Sequence, residues 1–214
     1  MIFDAFDRIR IINLPYRRDR RAEMKRELAR VGLAGDPRVA FVPAMRPAER
    51  GPFESIGARG CYGSHQAILE EAAAAGESVL ILEDDCDFTQ AARGYEDAGS
   101  WDIFYGGYMT ADLADPLRRS ITGSHMMGFS AAGARALAAY LPAMPYDDVH
   151  PPVDGAYTTF RLTYPQVPVM FAEPPIAVQR SSRTDIAPLR FFDRLPLLRQ
   201  AAAAARWVKR ARRR

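Results

Sequence analysis

The stretch Val79-Leu-Ile-Leu-Glu83-Asp84-Asp85 decides the fold, because an apolar run there ends abruptly in three carboxylates. Four apolar residues between Gly76 and these charges are typical of a buried strand in a parallel sheet. Open α/β sheets bind ligands at the carboxyl ends of such strands. Because adjacent acids repel one another, their common use is to hold a cation. We therefore predict a ligand site here; the alternative is an acidic helix N-terminus.

Strand-like and helix-like segments alternate on both sides of this stretch. Further strands are predicted at 8–14, 39–42, 101–105 and 167–171, and helices at 20–31, 65–75, 130–141 and 154–161. Residues 43–60, with three prolines and three glycines, are predicted to form a mobile loop, and Ser64 to cap the helix that follows. The alternation predicts a three-layer α/β fold.

Composition and charge divide the chain into a body and a tail. The 214 residues suffice for one sizeable core, and a hydrophobic content of 48% excludes wholesale disorder. Residues 190–214 carry nine basic side chains against one acid, so a net charge of +3 leaves the body, residues 1–189, mildly acidic. We expect a single domain over 1–189 and a basic tail over 190–214.

The chain shows no apolar run near the roughly 20 residues of a membrane span and no secretory leader, so a cytoplasmic location is expected. The two cysteines, Cys61 and Cys86, form no metal-type pair and would stay reduced there.

The first candidate site is the segment Asn13-Leu-Pro-Tyr-Arg-Arg-Asp-Arg-Arg21. Guanidinium groups and the N–H groups of a helix start both bind anions, so this segment could receive a phosphate. The alternative is a solvated basic turn capped by Asp19.

Ser64 and His65 stand next to each other but do not make a convincing catalytic relay. Neighbouring residues on a helix point in different directions, and the chain has no Gly-x-Ser-x-Gly motif. Ser64 is better explained as a cap, whereas His65 could reach a ligand.

The acidic cluster has two overlapping acid-x-acid patterns, Glu83 with Asp85 and Asp85 with Asp87. Alternate residues of a strand point the same way, so either pair could approach a metal from one side. Asp85 belongs to both pairs and is the best candidate ligand. Mg²⁺ or Mn²⁺ fits few carboxylates completed by substrate phosphates.

Two later segments add polar groups. Asp154, followed by Gly155, could meet a substrate or could simply cap a helix. The polar run 179–186 has two arginines and three hydroxyl groups, which suits phosphate or sugar recognition as well as an ordinary surface loop.

Taken in order, these motifs resemble the family 25 glycosyltransferases, which include lipopolysaccharide and collagen galactosyltransferases. The match covers roughly residues 8–188 and runs through several short motifs: Ile12-Asn-Leu14 with Arg17 and Arg20, Gly60-Cys61 with Ser64-His65, Leu80-Ile-Leu-Glu-Asp-Asp85, Trp101-Asp102, Gly128-Phe-Ser-x3-Ala134, Val153-Asp-Gly155 and Gln179 to Ile186. Asp87 lies outside the family pattern.

The resemblance implies a GT-A-type, Rossmann-like fold and inverting transfer of a hexose such as galactose. The resemblance implies a UDP-linked nucleotide-sugar as the donor and a glycan or lipopolysaccharide-type glycolipid as the acceptor. The implied donor-binding residues are Asn13, Leu14, Arg17, Arg20, Ser64, His65, Glu83, Asp84, Gln179, Arg180, Ser181 and Ser182. Asp85 and Glu83 would hold Mn²⁺ or Mg²⁺, and Asp154 would be the catalytic base or a further metal ligand.

The tail suggests a second activity. Residues 195–211 have the apolar spacing of an amphipathic helix with basic residues around Trp207. Such a helix could lie on an anionic membrane at the inner face, or dock back on the domain. Nucleic-acid binding is not expected, because no reader motif is present. The alternatives to glycosyl transfer are a metal-dependent phosphohydrolase and a non-catalytic membrane adaptor.

Overall fold

A computed structural model describes residues 1–96, 99–109 and 121–180. The strands are β1 Arg8–Asn13, β2 Val39–Pro43, β3 Val79–Glu83, β4 Cys86–Phe88, β5 Ile103–Met109, β6 Thr122–Phe129, β7 Val169–Phe171 and β8 Ala177–Gln179. The α-helices are α1 Arg18–Arg30, α2 Ile56–Ala75, α3 Ala131–Tyr140 and α4 Val153–Thr163.

Six of the strands form one sheet in the order β2-β1-β3-β6-β5-β7, and β4 pairs with β8 separately. The pairs β1–β2, β1–β3 and β5–β7 are parallel, whereas β6 is antiparallel to both of its neighbours. Ile12 is in register with Glu83, so β1 and β3 end at the same edge. This mixed, mostly parallel sheet confirms the α/β prediction and brings the ends of the two strands together.

Side chains of β3 alternate between two hydrophobic cores, one on each face of the sheet. Val79 and Ile81 belong to the core that includes buried residues of α2, α3 and α4. Leu80 and Leu82 belong to the opposite core, which includes buried residues of α1. All four side chains are fully buried. The predicted buried strand is therefore confirmed, and the helices form layers on both faces of the sheet.

The second helix begins earlier than predicted. α2 starts at Ile56, and the Ser55 side chain caps it by accepting a 3.0 Å hydrogen bond from the Ala58 N–H. The prediction that Ser64 is the cap is wrong, since Ser64 lies within the helix and its hydroxyl donates to the Gly60 carbonyl. The glycines that suggested a loop permit close packing: a Cβ at Gly60 would lie 2.4 Å from the Met45 carbonyl oxygen.

The strand predicted at 101–105 continues to Met109 through Gly106 and Gly107, with irregular pairing to β6. A Cβ at Gly107 would lie 2.3 Å from Nε2 of His125, so glycine here admits the histidine side chain of the neighbouring strand. β6 itself was not predicted. The predicted helix after Ser130 is confirmed, and the Ser130 side chain caps it.

No helix within the described ranges is long and apolar enough to cross a membrane. The predicted basic helix of the tail lies outside the described residues.

Candidate active site at the carboxyl edge of the sheet

Asp84 is held from two sides at the end of β3. The Asn13 side-chain amide donates a 2.7 Å hydrogen bond to its Oδ2, and Arg20 donates a 2.7 Å bond to its Oδ1. Asn13 is the last residue of β1, and Arg20 lies in the first turn of α1. The predicted neighbours Asn13, Arg20 and Asp84 therefore form one buried cluster.

Asp85 is equally buried but less completely paired. Its Oδ2 lies 3.1 Å from the same Arg20 guanidinium, whereas its Oδ1 has no hydrogen-bond partner among the described residues. Burial and the negative charges of Glu83 and Asp84 raise the pKa of Asp85 to about 7, against the opposing effect of Arg20. The positive charge of Arg20, which Asp85 shares with Asp84, therefore does not outweigh burial and the neighbouring acids.

Glu83 makes its contacts with a different set of residues. Its Oε1 accepts a 2.6 Å hydrogen bond from the Ser124 hydroxyl and lies 3.6 Å from Nε2 of His65. Burial favours the neutral acid, but His65 and the Ser124 hydroxyl outweigh it and lower the pKa of Glu83. β3 ends at Glu83, so Asp85 lies in the turn that follows, where side chains no longer alternate between the two faces of the sheet. The two predicted metal ligands, Glu83 and Asp85, therefore have their contacts in different directions.

His65 lies on α2 and is fully buried. Its Nδ1 is 3.0 Å from the Tyr157 hydroxyl of α4. Cys61, one helical turn earlier, brings its sulfur close to His65 and Glu83: one donor atom from each of the three lies within 4.8 Å of the others. Desolvation and the charges of Glu83, Asp154 and Asp85 raise the pKa of the Cys61 thiol.

Asp154 lies in the first turn of α4 and is tied to the start of β6. Its Oδ2 accepts a 2.8 Å hydrogen bond from the Gly123 N–H, and its Oδ1 accepts one from the Gly155 N–H. Ser124, the next residue along β6, holds Glu83. Consecutive residues of β6 therefore connect Asp154 with the acidic cluster, and each Asp154 oxygen keeps a lone pair for another partner.

The remaining predicted residues of the amino-terminal half are spread along the same edge. Arg17 makes a bidentate ion pair with Asp19 at 2.9 and 3.0 Å, which lowers the pKa of Asp19 to about 2. The Leu14 carbonyl accepts from the Arg17 N–H in the turn before α1. Ser64, buried in α2, also accepts a 2.8 Å bond from the Met45 N–H. Its bonds are thus directed to the backbone.

Arg180 follows β8 and contacts the acidic segment at the end of β3. Its backbone N–H donates 2.7 Å to the Asp85 carbonyl, and its guanidinium binds Asp87 and Glu23. Asp87 thereby has an ion-pair partner. Gln179 is exposed at the end of β8. Ser181 and Ser182 lie outside the described residues.

Four residues around Glu83 were not predicted as site residues: Cys61, Ser124, His125 and Tyr157. His125 is buried, and neither of its ring nitrogens has a hydrogen-bond partner within the described part of the chain. Burial lowers the pKa of His125, although Glu83 opposes this effect. The signal in the sequence was Ser124-His125 before the apolar pair Met126-Met127, a polar pair on an otherwise buried strand.

A pocket of about 640 Å³ opens on another face of α2. Phe53, Tyr62, Tyr146 and His150 supply aromatic rings to it, and Arg46, Arg59 and Gln66 supply polar groups. The predicted acidic residues do not line it, so it is separate from the cluster at the end of β3.

No protein-family model matches the sequence, and none of the curated proteins matches it. Among solved structures, one similar chain is described as the crystal structure of a glycosyltransferase involved in the glycosylation of the major capsid of PBCV-1. The similarity covers 82% of this chain and 96% of that one, with a TM-score of 0.51 and 11% sequence identity. At this identity the likeness establishes a shared fold.

Proposed function

We propose that this protein is a glycosyltransferase that moves a sugar from a nucleotide-sugar to a glycan or glycolipid acceptor. The observation that carries the proposal is the buried Asp85 carboxylate, whose Oδ1 has no hydrogen-bond partner in the described ranges. It lies at the carboxyl end of a central strand, where α/β folds bind ligands, and the fold is shared with a glycosyltransferase. The motif resemblance supports assignment to family 25, a hexose such as galactose and a UDP-linked donor.

The residues at this edge fit a hard divalent cation, Mg²⁺ or Mn²⁺. Asp85 offers a buried carboxylate oxygen, and Asp84 and Asp85 share the single positive charge of Arg20 at close range. Asp85 would hold the ion, and donor phosphates would complete the shell. Glu83, the second predicted ligand, has its contacts with Ser124 and His65 instead. When bound, the ion would neutralise the diphosphate leaving group.

The surrounding residues would position the donor. Asn13 donates to Asp84, and Arg20 contacts both Asp84 and Asp85, so we assign these two residues a positioning role. A four-residue turn joins the end of β1 to the start of α1, whose N–H groups favour an anion at the same edge. Arg17, Gln179 and Arg180 would contact the donor at this edge, and Ser181 and Ser182 remain predicted donor-binding residues from the motif resemblance.

Asp154 would act as the base. In an inverting transfer the acceptor oxygen attacks the anomeric carbon, the bond from that carbon to the phosphate oxygen breaks, and the acceptor proton passes to a carboxylate. Asp154 comes from α4, a different element from the acids of β3, and the Gly123 N–H fixes its orientation. Its alternative role is a further metal ligand.

A donor-binding experiment tests this proposal. A nucleotide-sugar with Mn²⁺ should raise the melting temperature, and mass spectrometry should detect hydrolysis or transfer of its sugar. Asp85→Ala should abolish both effects, whereas Asp147→Ala, on an exposed loop, should retain them. Unchanged melting with every common nucleotide-sugar, or phosphate release from phosphoesters without sugar transfer, would contradict the proposal.

The basic tail would place the enzyme at the cytoplasmic face of a membrane, near a lipid-linked acceptor. Removal of residues 190–214 should abolish binding to vesicles that contain anionic lipid and leave donor binding intact. Undiminished vesicle binding would show that the tail is not the anchor.

A further inference from the structure

We propose that Cys61, His65 and Glu83 form a second metal site, suited to a borderline-soft divalent ion such as Zn²⁺. The site does not depend on the proposed glycosyl transfer, although Glu83 belongs to the acidic cluster. One donor atom from each residue lies within 4.8 Å of the other two, and these residues are the sole such group among the described residues. Thiolate, imidazole and carboxylate are the three ligand types that zinc takes from proteins.

The orientation of His65 is the independent observation that supports a metal. The side chain is fully buried, yet its Nε2 has no hydrogen-bond partner in the described structure. The distance of 3.6 Å from Nε2 to the nearer Glu83 oxygen is too long for a hydrogen bond. It fits two ligands of one ion, because tetrahedral ligand atoms about 2.0–2.3 Å from zinc lie roughly 3.3–3.8 Å apart.

Tyr157 and Ser124 orient two of the three proposed ligands by contacts with His65 and Glu83. The contact of Nδ1 with the Tyr157 hydroxyl holds the imidazole ring and leaves Nε2 as the nitrogen available for a metal. The Ser124 hydroxyl orients the Glu83 carboxylate. Cys61 and His65 lie four residues apart on α2, so both side chains project from the same face of one rigid helix.

A cysteine–histidine catalytic relay does not explain this arrangement. Such a relay needs one imidazole nitrogen on the thiol and the other on the acid. Here the Tyr157 hydroxyl, not an acid, contacts Nδ1, and Glu83 is on the Nε2 side, so the acid and the thiol do not lie on separate ring nitrogens. In a metal site the three groups converge on one ion, and the thiol releases its proton to solvent on binding. Cys61 and Glu83 are only partly buried, which gives the ion a route of entry.

Cobalt substitution tests the site without a nucleotide-sugar. The reduced full-length protein should show a near-ultraviolet thiolate-to-cobalt absorption band that saturates at one equivalent of bound Co²⁺ per thiolate site, and added Zn²⁺ should remove it. Cys61→Ser should lose the band, and Cys86→Ala, which alters the thiol of the opposite core, should keep it. Circular dichroism would establish that each variant is folded.

Tyr157→Phe provides a second variant that keeps all three ligands. It should weaken Zn²⁺ binding, measured by titration calorimetry, by about 10–100-fold, because it removes the group that orients His65. The absence of a cobalt band in the folded wild type, its survival in Cys61→Ser or its loss in Cys86→Ala would overturn the proposal. Unchanged Zn²⁺ affinity in Tyr157→Phe would do so as well. Donor binding could still fail or succeed separately, since these measurements use the metal alone.

Discussion

The side-chain amide of Asn13 donates a 2.7 Å hydrogen bond to Oδ2 of Asp84 and so joins the ends of two adjacent parallel strands. The two residues are 71 positions apart in the sequence, and both are almost fully buried. The bond fixes the first acid of the turn after β3, and Arg20 fixes the same carboxylate from the other side.

Asn13→Ala should destabilise the fold, because it leaves one buried oxygen of Asp84 without its amide donor. We expect a loss of about 1–3 kcal/mol in the free energy of unfolding, measured by urea denaturation at pH 7. Gln179→Ala, at an exposed strand end, is the control and should change stability little. Equal stability of the two variants would show that the Asn13–Asp84 bond is not significant.

Arg20→Met should lower the free energy of unfolding by more than Asn13→Ala does, since it removes the cation shared by two buried carboxylates, Asp84 and Asp85. Removal of one partner of a buried ion pair typically costs about 3–5 kcal/mol. Arg18→Met, on the exposed side of the same helix, is the matched control.

A double variant separates charge from packing at the same position. Asp84→Asn added to Arg20→Met should recover part of the lost stability, because one uncompensated charge disappears. If the double variant is no more stable than Arg20→Met, the effect of Arg20 is due to packing.

Asp85 should make stability depend on pH in the metal-free protein. Its pKa is about 7 in the folded protein against an ordinary value of 3.8, so between these values the folded state binds more protons than the unfolded chain. The free energy of unfolding should therefore fall as pH rises from about 4 to about 7, and the full shift corresponds to roughly 4 kcal/mol.

Asp85→Asn should remove this loss. With a chelator present, the free energy of unfolding of the variant should equal that of the wild type near pH 4. At pH 8 it should be higher than that of the wild type by up to the same roughly 4 kcal/mol. Asp147→Asn should follow the wild-type profile. Parallel profiles for Asp85→Asn and the wild type would contradict the assignment of a raised pKa to Asp85.

Asp154→Asn distinguishes a base from a ligand. Asparagine keeps an oxygen that can accept from the Gly123 N–H but cannot take up the acceptor proton, so kcat for transfer should fall by about 10²–10⁴-fold. The donor-induced rise in melting temperature should persist. Asp147→Asn should leave kcat unchanged. Loss of the donor-induced stabilisation would instead make Asp154 a ligand, and an unchanged kcat would exclude it as the base.

The acidic strand end could be predicted from sequence because both of its signals are local. Four consecutive apolar residues specify a strand buried on both faces, and the three acids that follow specify its polar end. Asn13 and Arg20 were also predicted, because they belong to a strand end followed by arginines and a helix start, and the family resemblance implied that they bind the donor. The structure gives them a different role from direct contact with a nucleotide-sugar, because their side chains bind Asp84 and Asp85 in the turn after β3.

The pairing of strands across the sheet could not be predicted from local sequence patterns. β6 has two glycines and the polar pair Ser124-His125, so it lacks a strong strand pattern. It forms a strand because β3 and β5 supply hydrogen bonds on both of its sides. The glycine-containing start of α2 was read as a loop for a similar reason: the contact with the Met45 backbone that favours Gly60 is not visible locally.

The sequence by itself determined the buried β3 strand and the charge at its end, since burial and charge repulsion act between neighbours in the chain. Only the tertiary structure decided which groups each of the three acids contacts. Asp84 and Asp85 share Arg20, whereas Glu83 lies beside His65 and Cys61. The physical reason is that the strand ends at Glu83: the turn directs the next two acids to α1, and Glu83 faces the helix packed against the other side of the sheet.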